Sequence, residues 1–475
     1  MSYLIRRWRA ESGYRDVLRI ALPLILSTGS WSLQQFIDRI FLTWYSPESI
    51  AASMPAGLMN WTLMSLFIGT AGYVNTFVAQ FYGAGRFRRV GAAVWQGIWL
   101  SLLVIPVAAL CYGLAEPLFS IVDHGPAVRA QEVVYFRILM IAAPFVVITH
   151  ASSSFFSGLG RTWVVMWVNV LGTAVNLILD WLMIFGYGGF PEMGIAGAGW
   201  ATTLASVVTA VVFVVLMSAP GLNREFATLD GWRFDAVLFR RLLRFGLPSG
   251  MQFVLEVFAF TLFVMLVGVI GMTELAATNI AFNINSLAFM PMFGMSLAVS
   301  TLVGQHLGEN RPDLAEKATW SAFHLAMAFF VTLGLLYFLV PQWFLAPFAA
   351  RATGSDWTAI HHLTVLILKL VALYCLFDAG NMVFVGTLKG AGDTRFVAIA
   401  SVGLSWVGML VPSLLSVYVW KLGVVWLWGW VTLYVVGLCF IFYWRFRQGR
   451  WRTMRVIEEE PPLPEEVAPA TGPSA

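Results

Sequence analysis

Apolar residues run along this chain in long stretches rather than in alternation or in one-sided stripes. A helix crossing the hydrocarbon of a bilayer needs roughly 20 mostly apolar residues. Stretches of that kind fall at residues 18–44, 50–80, 91–115, 131–157, 162–186 and 195–219. Six more follow at 242–270, 276–306, 318–346, 361–388, 395–419 and 422–446. A polar segment, Pro220 to Arg244, separates the two groups. Pro and Gly inside the stretches predict bends rather than breaks, because neighbouring helices satisfy the freed backbone groups. The pattern predicts an all-α polytopic membrane protein of twelve transmembrane helices. Residues 17–219 and 241–448 form two six-helix lobes, and 220–240 is the linker between them.

Composition removes the soluble alternatives. Only 11% of the residues are charged and 59% are hydrophobic, whereas a soluble domain carries about 25% charged residues. The 21 tryptophans suit rings seated at headgroup level. Basic residues set the orientation, since cytoplasmic loops gather Lys and Arg. The N-terminal segment, the linker region, the C-terminal segment and the loops after the second, fourth, eighth and tenth stretches together hold 23 of the 29. The opposite loops hold Arg129, Arg351 and Lys421. Residues 1–16 and 449–475 are therefore placed in the cytoplasm, the latter as a disordered Pro- and Glu-rich tail. No small-residue cleavage site follows the first apolar stretch, so it is read as a retained span. Cys111, Cys375 and Cys439 lie in apolar runs without paired spacing and read as small core residues.

The two halves repeat. Leu22-Pro23 matches Leu247-Pro248, 225 residues later, and the segment Val78 to Arg86 matches Val303 to Arg311 at the same interval. Further on the interval drifts to 232, where Gly158-Leu159-Gly160-Arg161-Thr162 matches Gly390-Ala391-Gly392-Asp393-Thr394. Six spans per half make the repeats parallel, and transporters of that build bind substrate near the midplane between their halves.

Carboxylates inside the membrane cost on the order of 3 kcal/mol each and mark function. Glu256 and Asp378 lie roughly 15 Å and 18 Å along their helices from Gly246 and Gly390, a shared depth near the midplane. Tyr374 precedes Asp378 by one turn on the same face. Asp38 and Asp180 sit nearer the outer side, with Asn176 one turn from Asp180 and Thr202 entering from the next helix. These oxygen-bearing groups converge on the outer part of the first half and suit a hard cation. Arg39 lies on a different face from Asp38 and can snorkel outward. The bland readings are that Asp38 is interfacial and that Asp180 caps a helix end. Gln34, Gln252, Asn279 and Asn283 are placed along the cavity, with interhelical hydrogen bonding the alternative for the asparagines. His150 and His361-His362 read as bundle and interface residues. No nucleophile and base converge at midplane depth, which argues against an enzyme and against a catalytic cofactor.

At these residues the chain resembles the multidrug and toxic compound extrusion (MATE) family, particularly its bacterial NorM-type branch, over about residues 15–448. The motifs are Ala21-Leu22-Pro23 with Asp38, Val78-Ala79-Gln80 through Gly83-Ala84-Gly85, Glu256, Asn279-Ile280-Ala281, and Tyr374 with Asp378 ahead of Lys389-Gly390-Ala391-Gly392-Asp393-Thr394. The resemblance implies a V-shaped pair of lobes and export of small organic cations against Na+ or H+. It implies a cation site of Glu256, Asp378 and Tyr374 in the C-terminal lobe, and one of Asp38, Asn176, Asp180 and Thr202 in the N-terminal lobe. The chain holds both sets, and the extra oxygens favour Na+ over H+. A monomer in the bacterial inner membrane, surrounded by lipid and without nucleic-acid partners, is expected. The alternative is a lipid-linked oligosaccharide flippase of the same wider superfamily. That function would call for a basic cavity, whereas the deep charges here are mainly acidic.

The orientation is tested by single cysteines at Glu48, Gly354 and Arg233 in a background lacking the native cysteines. An impermeant thiol reagent applied to intact cells should label the first two and spare the third. The reverse pattern would overturn the topology.

Overall fold

The computed structural model describes residues 2–120, 125–349 and 357–458, so Gly354 and the tail beyond Glu458 lie outside the described residues. The described residues are helical throughout their ordered elements. An N-terminal helix α1 (Ser2–Arg9) precedes the first half, which comprises α2 (Tyr14–Tyr45), α3 (Pro47–Gly72), α4 (Val74–Gly83), α5 (Phe87–Gly113), α6 (Ala115–Phe119), α7 (Pro126–Gly158), α8 (Thr162–Phe185) and α9 (Ile195–Met217). The second half follows as α11 (Ala236–Ile270), α12 (Met272–Gly308), α13 (Pro312–Leu339), α14 (Pro341–Ala349), α15 (Trp357–Ala391), α16 (Thr394–Gly403), α17 (Val411–Tyr418) and α18 (Val424–Arg447). Between the halves lie α10 (Pro220–Phe226) and a 3-10 turn, Asp230–Trp232. Asp235 starts α11 by accepting hydrogen bonds from the Val237 and Leu238 amides at 3.0 Å, an N-cap that satisfies otherwise orphaned donors.

Among the described residues, eleven helical segments are long and apolar enough to cross a membrane, α3 with α4 and α16 through α17 each counting as one. The twelfth span, α2, is 32 residues long but carries Arg15, Asp16, Arg19, Asp38 and Arg39. It earns its place by packing along α8 and α12 rather than by its own hydropathy. The spans also run further than the apolar stretches. Lys389, expected in a loop, lies in the last turn of α15, at the face where α1 and the segment after α18 sit, here termed the terminal face.

The repeat becomes a contact at that terminal face. The Gln80 side-chain amide donates to the Gly390 carbonyl at 2.9 Å, and its repeat mate Gln305 donates to the Gly158 carbonyl at 2.8 Å. Each glutamine thus reaches from one half to the end of a helix in the other, where carbonyls lack intrahelical partners. Asn75 donates to Thr301 at 3.0 Å and accepts from Ser157 at 2.6 Å. Thr76 and Ser300, the mates of Thr301 and Asn75, are 3.5 Å apart. Two glycines permit this approach. A Cβ on Gly83 would overlap the Gln305 carbonyl oxygen, and one on Gly308 would overlap that of Gln80.

Contacts between the halves continue inward through Gly69 against Gly250, Trp61 against Phe253 and Thr28 donating to the Met290 carbonyl at 3.1 Å. The C-terminal segment lies across the same face. The Val456 amide donates to Gln80 Oε1 at 2.8 Å, Trp451 is buried against Phe446, and Glu458 pairs with Arg89 of the first half and Arg241 of the second.

Overpacking a tight contact costs about 1–3 kcal/mol. Gly83→Ala and Gly308→Ala should each loosen the closed face by that much. A cysteine at buried Ser300 should then react with a thiol reagent about fivefold to a hundredfold faster, since 1.4 kcal/mol is tenfold. Unchanged reactivity in both variants would remove the glycines from the closure.

Candidate functional site

Two acidic clusters stand inside the bundle, one in each half. In the first, Asp38 of α2 and Asp180 of α8 bring their carboxyl groups side by side. Asn176 lies one turn before Asp180 and donates to Thr202 of α9 at 3.4 Å. All four expected residues of the first half are therefore brought together. Asn176 and Asp180 are completely buried, Asp38 is half-buried and Arg39 is exposed.

Asp38 Oδ1, Asn176 Oδ1 and both Asp180 carboxylate oxygens are buried without a hydrogen-bond partner. Buried polar atoms are satisfied in the great majority of cases, so these four orphaned acceptors single out the cluster as the candidate site of the first half. Carboxylate, amide and hydroxyl oxygens are the donor set of a hard cation. Aromatic rings close the outer end: Phe41 meets Trp181 at 5.5 Å, and Trp181 meets Phe185 and Tyr187 at 5.1 and 5.4 Å. Tyr135 of α7 also lies within electrostatic reach of both acids.

The second cluster is built differently. Glu256 of α11 accepts from Gln252, one turn earlier, at 3.2 Å, and Gln252 also donates to Ser401 of α16 at 3.0 Å. Gln252, expected along the cavity, is buried and serves the acid instead. A π-helical stretch, Leu404–Leu410, follows α16, and its Trp406 donates to the Leu255 carbonyl at 3.2 Å. Widened turns of this kind recur at functional sites. Asp378 of α15 accepts from Asn381 at 3.2 Å, and Tyr374 is buried within electrostatic reach of Asp378.

Glu256 and Asp378 thus take separate hydrogen-bond partners. The group that feels both charges is Tyr434 of α18, and Lys389 lies within reach of Glu256.

Asn279 and Asn283 share a face of α12 with Met290 and Gly294, by helical spacing. Met290 meets Thr28 of α2, and Gly294 packs against Ile25. Both asparagines are exposed because α2 has diverged from α12 at their level. Asn283 donates to the Asn279 carbonyl at 2.8 Å, so its amide bonds within its own helix rather than joining helices. Gln34 shares Asp38's face one turn nearer the terminal end, half-exposed.

Sequence reasoning missed Tyr135, Tyr434, Asn381 and Ser401. Asn381 carried a signal, since it stands three residues after Asp378 on the same helix face. A tyrosine alone in an apolar run carries none.

Known proteins resemble this arrangement. The MatE family model matches residues 23–182 and 248–413, two segments that begin at the equivalent prolines of the repeat. The chain is 31% identical over 422 residues to the probable multidrug resistance protein NorM of Mesorhizobium japonicum, spanning 86% of this chain and 88% of the relative. It is 26% identical to the multidrug resistance protein PmpM of Pseudomonas aeruginosa, over 88% of this chain and 87% of that one. Its fold is similar to that of an outward-facing multidrug resistance MATE-family transporter of the MOP superfamily, with a TM-score of 0.84 at 20% identity over 94% of this chain and 98% of the other.

Two facing acids with orphaned oxygens destabilise the first half when no cation is bound. Leaving a buried acceptor unsatisfied costs about 1–3 kcal/mol, and like charges add to it. Asp180→Asn should therefore raise the midpoint of thermal unfolding in sodium-free choline buffer at pH 8. A lower midpoint in that buffer would mean that the acids are already compensated within the protein.

Proposed function

This chain belongs to the multidrug and toxic compound extrusion family, and we propose that it is an antiporter that exports organic cations by alternating access, driven by sodium in preference to protons. The observation that carries the reading is the set of four partnerless oxygens on Asp38, Asn176 and Asp180. One proton shared by the two carboxyl groups leaves the Asn176 oxygen and part of Asp180 unsatisfied. A bare cation takes all four, with the Thr202 hydroxyl adjacent. The donor set therefore favours a metal cation.

The geometry also supports a route from that site to the cleft. α2 carries Asp38 in its outer half and Thr28, which touches α12, further in. Neutralising the facing acids removes a repulsion between α2 and α8 and shifts where the outer half of α2 sits. A ligand moves a two-state equilibrium only by its differential affinity for the two states. Here the differential is the electrostatic relief that requires α2 to lie against α8. With the basic terminal face in the cytoplasm of a bacterial inner membrane, the cleft opens outward in this conformation. Sodium entering from outside binds while the glutamine contacts keep the cytoplasmic face shut. The carboxyl groups of Glu256 and Asp378, with the Tyr374 hydroxyl beside Asp378, suit an organic cation or a second coupling ion.

The decisive experiment uses proteoliposomes with the membrane potential clamped and pH fixed. A sodium gradient should drive counter-movement of a fluorescent organic cation. Asp38→Asn should weaken the sodium dependence, and Glu256→Gln or Asp378→Asn should abolish coupled movement at unchanged protein content. Movement driven by a proton gradient in sodium-free buffer, and indifferent to added sodium, would replace sodium by the proton while keeping the antiporter.

A further inference from the structure

The second half carries a groove of about 460 Å³ on its outer wall, backing onto the second acidic cluster through Phe377 and Cys439. It runs between α13, α15 and α18, and Trp320, Phe323, Met327, Phe377, Phe440 and Tyr443 are among the side chains that form it. Its walls are nearly all carbon. All three helices reach the terminal face at one end, α13 by its first turn and α15 and α18 by their last. Tyr443 lies roughly 6 Å, Phe384 roughly 10 Å and Trp320 roughly 12 Å from those ends. Val331 and Leu376, also in the lining, lie roughly 29 Å and 22 Å away. The groove therefore extends from the headgroup level of the terminal leaflet toward the middle of the membrane.

The mouth of the groove is positively charged, and its cations are not equivalent. Arg445 is paired with Asp393 at 2.6 Å, and Arg452 is paired with Glu316. Lys317 precedes Trp320 by three residues on α13, and Arg447 follows Tyr443 by four on α18. Each is therefore one turn beyond a groove residue and on its face. Among the described residues neither closes an ion pair, although Asp313 stands one turn before Lys317. An apolar slot one leaflet deep, topped by two unneutralised cations, has the polarity of an anionic phospholipid.

We infer that this groove is a binding site for an anionic phospholipid of the terminal leaflet. One acyl chain lies along Phe440, Phe377 and Met327, and the phosphate rests between Lys317 and Arg447. Inside a bilayer an apolar wall offers a chain no hydrophobic gain over neighbouring lipid tails. The groove therefore fixes the position of the chain, and the cations select the headgroup. Because α13, α15 and α18 are the helices packed around Asp378 and Tyr434, a lipid seated there holds the outer wall of the second acidic cluster.

The test uses full-length protein in bilayers containing phosphatidylglycerol with a photoreactive group midway along one acyl chain. A phosphatidylethanolamine probe of identical chains provides the comparison. Crosslinks from the first should concentrate in peptides carrying Trp320–Val331 and Phe440–Arg447, several-fold above those from the second. Near a membrane surface each basic residue contributes about fivefold to anionic-lipid preference, so Lys317→Ala with Arg447→Ala should erase the difference. Lys317→Arg with Arg447→Lys should keep it. Val331→Trp, which fills the deep end from an exposed position, should lower labelling by both probes. Excess inorganic phosphate should not displace the lipid. Equal labelling by the two probes, labelling spread evenly over the lipid-facing helices, displacement by phosphate, or a preference that survives loss of both cations would each overturn the site.

Discussion

The architecture depends on one close approach, where Gly83 and Gly308 let the end of α4 and the end of α12 touch backbone to backbone. Around it, Gln80 and Gln305 each carry a side-chain amide to a carbonyl near the end of a helix in the opposite half. Such carbonyls have no partner within their own helix, so the exchange satisfies donors and acceptors that burial would otherwise leave orphaned. This contact shuts one face of the molecule. The halves can diverge elsewhere only because they are held there, and the divergence of α2 from α12 at the level of Asn279 and Asn283 is the consequence.

A contact of this kind is well suited to being broken. It consists of neutral hydrogen bonds and small residues, and a net hydrogen bond contributes only about 0.5–1.5 kcal/mol. Gly69 against Gly250 and Gly246 against Thr70 extend the same small-residue character inward. Small residues admit close packing without interlocking, although the ring pairs Trp61–Phe253 and Phe77–Phe245 also cross between the halves and must part when they separate. The C-terminal segment adds to the closure through groups of a different sort, the Glu458 carboxylate spanning Arg89 and Arg241. These are solvent-accessible pairs of modest strength, and they bridge the two halves rather than lock either.

Much of this was legible in the sequence, because the bilayer demands apolar length and the repeat advertises itself through Gly, Pro and Gln spacing. The twelve spans, their division and the duplicated segment Val78–Arg86 followed from those two signals. The convergence of Asp38, Asn176, Asp180 and Thr202 followed from helical rise and face, since each residue's depth and direction are local properties. What lay beyond reach was lateral neighbourhood. Tyr434 comes within electrostatic reach of Glu256 and Asp378 only because α18 packs beside α15, and nothing in the run Val424–Arg447 marks that ring in advance. Gln252 was placed along the cavity because its own helix position permits that. It turns inward because Ser401, on α16, is there to receive it. The reciprocal destinations of Gln80 and Gln305 were hidden for the same reason: repeats reveal equivalence, not contact.

The two halves have kept their frame and diverged in how they treat buried charge. In the second half each acid has a neutral amide donor, Gln252 for Glu256 and Asn381 for Asp378. A hydrogen bond to the charged form favours a carboxylate and burial disfavours it, so these acids differ from the first-half pair in each having an oxygen with a partner. In the first half the acids face each other, and the one nearby amide, Asn176, gives its donor to Thr202 and leaves its oxygen with no partner. That arrangement is unfavourable unless a positive species completes it. A satisfied acid can attract a large organic cation without gripping it, whereas an unsatisfied pair demands a small ion and releases it only when the surrounding helices move. Under the proposed function, the first half would respond to the coupling ion and the second would attract the cargo. α2, which carries Asp38 and touches α12, is the element through which one half registers the other.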